Sequence, residues 1–278
     1  MRKVAKVVPA QPSQDGDGVK INRSIGSGYL PQLDPFLLLD EIRSDDAADY
    51  IGGFPPHPHR GFETVTYMLE GKMRHRDSCG NEGVIETGGL QWMTAGKGIL
   101  HSEMPEQTEG RLWGFQIWVN LKSTEKMREP RYQEFTSAQI PELQLSEKSV
   151  VRVLAGEVGG VIGVAKDIAT NPFLLDLRLN GDDFQLELPE QHSALLYVYK
   201  GEFTIEGVTI KAGNLAILSV GDLIKCTGID NASGNGALLL AAAKLEEPIE
   251  RYGPFVMNTR AELQQAFNDF QQGAFGRM

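Results

Sequence analysis

Arg111-Leu112-Trp113-Gly114-Phe115-Gln116-Ile117-Trp118-Val119-Asn120 reads as a β-strand. In an extended chain Trp113, Phe115, Ile117 and Val119 fall on one face, while Gln116 and Asn120 fall on the other. An apolar shell around a polar interior explains that pattern. Outward from this stretch, the sequence from Phe62 to Asn120 is a run of short strand candidates. Gly71, Ser78-Cys79-Gly80-Asn81 and Gly88-Gly89 separate them, which is the rhythm of antiparallel β-structure.

A second strand-rich block runs from Val150 to Lys244. It repeats features of the first: Tyr67-Met68-Leu69-Glu70-Gly71 has a counterpart in Tyr197-Val198-Tyr199-Lys200-Gly201, and Gly89-Leu90-Gln91-Trp92-Met93 has a looser one in Gly213-Asn214-Leu215-Ala216-Ile217. Matches in the same order at similar offsets favour two copies of one β-barrel. The charged, Pro-containing segment Leu121 to Lys148 lacks a sustained apolar period and reads as the linker. The expected domains are therefore 1–140 and 141–278. One helix is expected, at the C-terminus: Thr259 and Glu262 have capping-box spacing, and Leu263, Ala266, Phe267 and Phe270 share one helical face.

Composition narrows the function classes. A chain of 278 residues with 41% hydrophobic content buries at least one large core. A formal net charge of −10 repels phosphate backbones, so direct nucleic-acid binding is not expected. Cys79 and Cys226 stand far apart with no CxxC arrangement, which fits a reducing compartment. The basic start, Met1 to Pro9, is interrupted by Lys6 and ended by Pro9 before a signal-peptide core forms. The apolar run Ala237 to Ala243 is far below the roughly 20 residues that cross a bilayer and reads as a buried strand. These readings lead to an expectation of a cytoplasmic protein without a membrane partner.

The chemistry lies in two short segments. His57 and His59 are separated by Pro58, which biases His57 toward the extended region, so both imidazoles project from one face of a strand. An i, i+2 pair of this kind suits a shared metal ion. His101 and Glu103 form another such pair after the turn Gly96-Lys97-Gly98, so four ligand-type side chains converge in principle. Three imidazoles and a carboxylate around an octahedral ion leave two open positions. Structural zinc sites are usually closed and rich in Cys, so this set favours a reactive Fe, Mn, Co, Ni or Cu ion.

His57-Pro58-His59-Arg60-Gly61-Phe62-Glu63-Thr64-Val65, with Leu90 to Gly96 and Gly98-Ile99-Leu100-His101-Ser102-Glu103-Met104-Pro105, resembles the two cupin motifs. The usual cupin Glu, five positions after the second His, is Thr64 here. The pattern is similar to the pirin family, in which the carboxylate ligand moves to the second motif and maps onto Glu103. Gly253-Pro254-Phe255-Val256-Met257-Asn258-Thr259 and Trp118-Val119-Asn120-Leu121 extend the resemblance over nearly the whole chain.

The resemblance implies an all-β bicupin of two tandem antiparallel barrels of jelly-roll type. It also implies one metal, Fe(II) first with Mn, Co, Ni, Cu or Zn as other divalent ions, in the N-terminal barrel, and a metal-free C-terminal barrel. Offsetting the ligand positions onto the second copy lands near Glu187, Pro189 and Lys225, and His192, the only histidine of that half, reads as a loop residue. The implied activity is quercetin 2,3-dioxygenase, with a small planar phenolic substrate, dioxygen and Glu103 as catalytic base. The other implied role is an iron-dependent redox sensor that binds a protein partner, a transcription factor or metabolic enzyme, without turnover.

Other polar residues carry plainer expectations. His75 reads as a surface residue or a support for the ligands, and Glu63, on the opposite strand face, as a structural salt bridge. Gln116 and Thr64 read as cavity-wall groups, and Arg60-Gly61 as a rim turn. Gly96 to Gly98 lacks the following helix of a phosphate loop and reads as a turn.

Overall fold

The computed structural model describes residues 1–278, which divide into two compact units. One comprises Pro12–Gly26, Phe36–Ser137 and Leu245–Met278; the other comprises Met1–Gln11, Ser27–Pro35 and Ala138–Lys244. The chain is built almost wholly of strands, with one α-helix, Arg260–Gln271. No helix is long and apolar enough to cross a membrane.

The histidine-bearing unit is made from two sheets. The larger has the order Arg131–Phe135, Leu90–Thr94, Phe62–Glu70, Leu112–Asn120, Phe36–Ser44, Val19–Ile25 and Gln11–Asp15. The smaller has the order Phe54–His59, Ile99–Pro105, Met73–Asp77 and Glu82–Ile85. Its edge strand carries Pro55, Pro56 and Pro58, which an edge tolerates because its outward positions owe no ladder hydrogen bond. Phe115, Ile117 and Val119 are buried as their alternation requires, while Gln116 and Trp118 turn to the cavity on the other face.

The second unit repeats the plan. Its larger sheet runs Val4–Pro9, Asn214–Leu218, His192–Lys200, Gly236–Ala243, Phe173–Arg178, Val150–Ala155 and Glu142–Gln144. His192–Lys200, with buried Tyr197, occupies the place that Phe62–Glu70, with buried Tyr67, holds in the first unit. The short sequence repeats therefore mark equivalent strands. The inward side chains Val151, Val153, Leu175, Leu177, Leu196 and Ile224 belong to one apolar core, each contributing roughly 1.5–3 kcal/mol by burial. His192 does not sit in a loop: it opens a strand, is buried, and its carbonyl accepts a 2.8 Å hydrogen bond from Arg2.

Two boundaries differ from the reading of the sequence. The units do not follow a split into 1–140 and 141–278, because Val4–Pro9 pairs along Asn214–Leu218 and the tail from Leu245 belongs with the histidine-bearing unit. The stretch expected to be a linker supplies the strand Arg131–Phe135, paired antiparallel with Leu90–Thr94. As a half-exposed edge strand it does not need a long apolar period.

The terminal helix carries the capping box expected at Thr259 and Glu262. Ala266 is buried against Phe255 and Phe275, with Leu263 and Phe267 beside them. Arg60 ties this segment to the barrel. Its Nε donates to the Lys97 carbonyl at 2.6 Å, its Nη1 pairs with Asp269 at 2.7 Å, and its guanidinium lies 4.6 Å from the Phe275 ring centre. Gly98 has φ 133°, and a Cβ there would meet the Phe275 ring at 2.5 Å, so this turn requires glycine.

Candidate metal centre

His57 and His59 project from one face of the strand Phe54–His59, and His101 stands directly opposite His57 on Ile99–Pro105. Cross-strand partners lie within about 5.5 Å at Cβ, and the rings follow: their centroids are 4.7 Å apart for His57 and His59, 4.4 Å for His57 and His101, and 4.9 Å for His59 and His101. The ligand-type nitrogen atoms of all three lie within 4.8 Å of one another.

The hydrogen bonds set the protonation pattern. Nδ1 of His57 is 2.8 Å from the Pro55 carbonyl, which only accepts, so Nδ1 carries the proton and Nε2 keeps its lone pair. Nδ1 of His59 faces the Pro254 carbonyl at 3.4 Å in the same sense. The two Nε2 atoms are then 3.1 Å apart. Two lone pairs at that separation repel, whereas a shared cation makes the contact favourable; nitrogen ligands at about 2.1 Å from one ion have comparable spacing. Burial, with the neighbouring His57 ring second, pushes the imidazoles of His59 and His101 well below their usual range, leaving the neutral form that metals bind. Both ring nitrogens of His101 are buried and have no hydrogen-bond partner. A buried imidazole with nothing to bond is costly unless it serves as a ligand, so the donor set fits a metal ion.

Glu103 borders the same cavity but stands outside the three-imidazole group. Against the strand Met73–Asp77 the ladder is regular, with His101 opposite Asp77 and Glu103 opposite His75, so both side chains leave one face of their strand; the extra residue lies on the facing strand, where Glu103 pairs with Phe54. The Thr66 hydroxyl lies 2.8 Å from Glu103 Oε1 and 2.8 Å from Gln116 Oε1, and Gln116 Nε2 donates to Glu103 Oε2 at 3.3 Å. Burial raises the Glu103 carboxyl above the usual carboxylate range, against the lowering influence of His57 and of the Thr66 hydrogen bond.

The cavity has a volume of about 550 Å³, a size suited to a small organic ligand. His57, His59, Glu103 and Gln116, with Asp15, Asp40 and Arg251, supply its polar groups, and Leu38, Ile42, Phe54 and Trp118 supply apolar wall. The Trp118 ring lies 5.1 Å from that of His59.

Thr66, not Thr64, is the threonine that holds Glu103; Trp118 joins the wall from Gln116's strand face, and Arg251 joins it with no local sequence signal. His75 is buried, not on the surface; its Nε2 is 2.7 Å from Glu134, and it stands opposite Glu103 in the ladder. Glu63 is buried and accepts a 2.7 Å hydrogen bond from the Thr94 hydroxyl. A hydroxyl therefore fills the role expected of a salt bridge, and burial raises the Glu63 carboxyl.

The family model for pirin matches residues 18–119, and that for the pirin C-terminal cupin domain matches residues 174–276. A pirin-like protein of Caulobacter vibrioides is 46% identical, the match covering 99% of this chain and 99% of the relative. The pirin of Homo sapiens is 41% identical, over 99% of this chain and 94% of its own length. A solved structure of quercetin 2,3-dioxygenase from Acinetobacter baumannii superposes with a TM-score of 0.90 at 36% identity, covering 99% of each chain. With both barrels matched by family models and relatives aligned from end to end, the chain belongs to the pirin family.

Proposed function

We propose that this protein is a metal-dependent dioxygenase that opens the central ring of a flavonol such as quercetin, with dioxygen as co-substrate. The proposed ion is Fe(II), held by His57, His59, His101 and Glu103. The observation that carries this reading is the convergence of three imidazoles beside a buried carboxylate on one apolar-walled cavity. Likeness to the Acinetobacter baumannii quercetin 2,3-dioxygenase supports the substrate class.

A divalent ion in this donor set supplies Lewis acidity toward a phenolic oxygen and redox access to dioxygen. Glu103 takes the proton of the flavonol 3-hydroxyl. Burial raises the Glu103 carboxyl above the usual carboxylate range, which favours proton uptake. Thr66 and Gln116 fix the carboxylate orientation through their hydrogen bonds and limit the search for a productive geometry. Leu38, Ile42, Phe54 and Trp118 hold a planar ring system and exclude water from it. The products are carbon monoxide and a phenolic ester.

The test is oxygen uptake by Fe(II)-loaded protein with quercetin, with carbon monoxide trapped in parallel. Matched oxygen consumption and carbon monoxide release support the reading. Metal-loaded protein that consumes no oxygen contradicts it.

A further inference from the structure

Arg251 reaches the cavity from the hairpin of Glu250–Tyr252 and Phe255–Met257. Its guanidinium lies 4.7 Å from the Trp118 ring centre, and Nη1 donates to the Leu37 carbonyl at 3.1 Å. Asp15 and Asp40 border the same cavity, but both are taken by Arg23: its Nε and Nη2 pair with Asp40 at 2.8 and 2.6 Å, and Nη2 also meets Asp15 at 2.6 Å. Most of the five N–H donors of Arg251 therefore have no protein acceptor. One indole separates this cation from the histidines, since Trp118 contacts Arg251 and also stands beside His59.

We propose that Arg251 is a specificity residue of this cavity, selecting aromatic ligands with an ionised oxygen, a phenolate or carboxylate, remote from the ring oxygen that approaches the histidines. This rests on the flavonol reading above and adds the feature that discriminates among flavonols. The planar fork of a guanidinium suits such an oxygen. Trp118 holds it by stacking, so little freedom is lost when the ligand arrives. A flavonol with no hydroxyl beyond the 3-position fills the same walls but offers Arg251 nothing.

The test is equilibrium binding of quercetin and 3-hydroxyflavone to Fe(II)-loaded protein under anaerobic conditions, followed by tryptophan fluorescence. Wild type is expected to favour quercetin by roughly tenfold, the size of one charge-assisted hydrogen bond. Arg251→Met keeps the apolar stem on Trp118 and is expected to abolish that preference, bringing quercetin affinity down to that of 3-hydroxyflavone in the same variant. Arg251→Lys is expected to keep part of it. If Arg251→Met retains the wild-type preference, or wild type shows none, the assignment of Arg251 is overturned while the flavonol reading stands. If wild type binds neither flavonol, both fall together.

Discussion

Thr66 on the larger sheet and Glu103 on the smaller sheet join the two layers of the histidine-bearing barrel through a 2.8 Å hydrogen bond in its interior. Thr66→Val keeps the shape but removes the hydroxyl. It leaves a buried carboxylate oxygen short of a donor, so stability is expected to fall by about 1–3 kcal/mol in urea denaturation. Turnover per bound metal is expected to fall as well, because Glu103 loses its orientation. A variant with wild-type stability and turnover would show that Gln116 alone positions the carboxylate.

His57→Ala or His101→Ala is expected to lose most of the bound metal, since each removes one of four proposed donors. Elemental analysis per chain reads this directly. His192→Ala, in the other unit, is expected to leave metal content unchanged; a fall there would place a second ion near His192.

Lys126 is buried and donates to the Gly61 carbonyl, Asn120 Oδ1 and the Val256 carbonyl at 2.7, 2.7 and 3.0 Å. Burial pushes its amine from 10.5 down to about 8, with Glu247 and Glu262 opposing. Between those values the unfolded chain binds more protons than the folded one, so stability is expected to rise with pH from about 8 toward 10.5. The full effect is about 3 kcal/mol. Lys126→Met, which has nothing to titrate, should lack this rise. Equal slopes for both proteins in urea midpoints across that pH range would contradict the account.

Gly98→Ala places a methyl group against the Phe275 ring at a backbone angle disfavoured for L-residues. A loss of about 1–3 kcal/mol is expected, together with faster proteolysis of the C-terminal segment. Unchanged proteolysis would mean that Phe275 yields without releasing the helix.

Much of this was legible in the sequence where the relevant rule is local. His57 and His59 share a face because Pro58 keeps the strand extended. Gln116 alternates with Phe115 and Ile117 as a cavity residue should. The helix cap needed only Thr259 and Glu262. What stayed hidden depended on register and on distant chain. Thr64 and Thr66 share one strand face, and only the pairing of Thr66 with Gln116 decides which of them reaches Glu103. The register shift opposite His101 and Glu103 lies on the strand Phe54–His59, and no local pattern marks it. Arg251 and Pro254 join the cavity from the tail of the chain, a placement that no local pattern encodes. Trp118 follows from local alternation, because it shares Gln116's strand face.

The most direct test of the central claim is oxygen uptake with quercetin by Glu103→Gln after reloading with Fe(II), expressed per bound ion. The substitution keeps the side-chain shape but removes the charge and the basicity. Losing a general base lowers rates by about 10²–10⁴, so the account predicts a fall of that size with the metal partly retained. Uptake at the wild-type rate per metal would contradict it, and Glu103 would then be neither the base nor a ligand that the reaction requires.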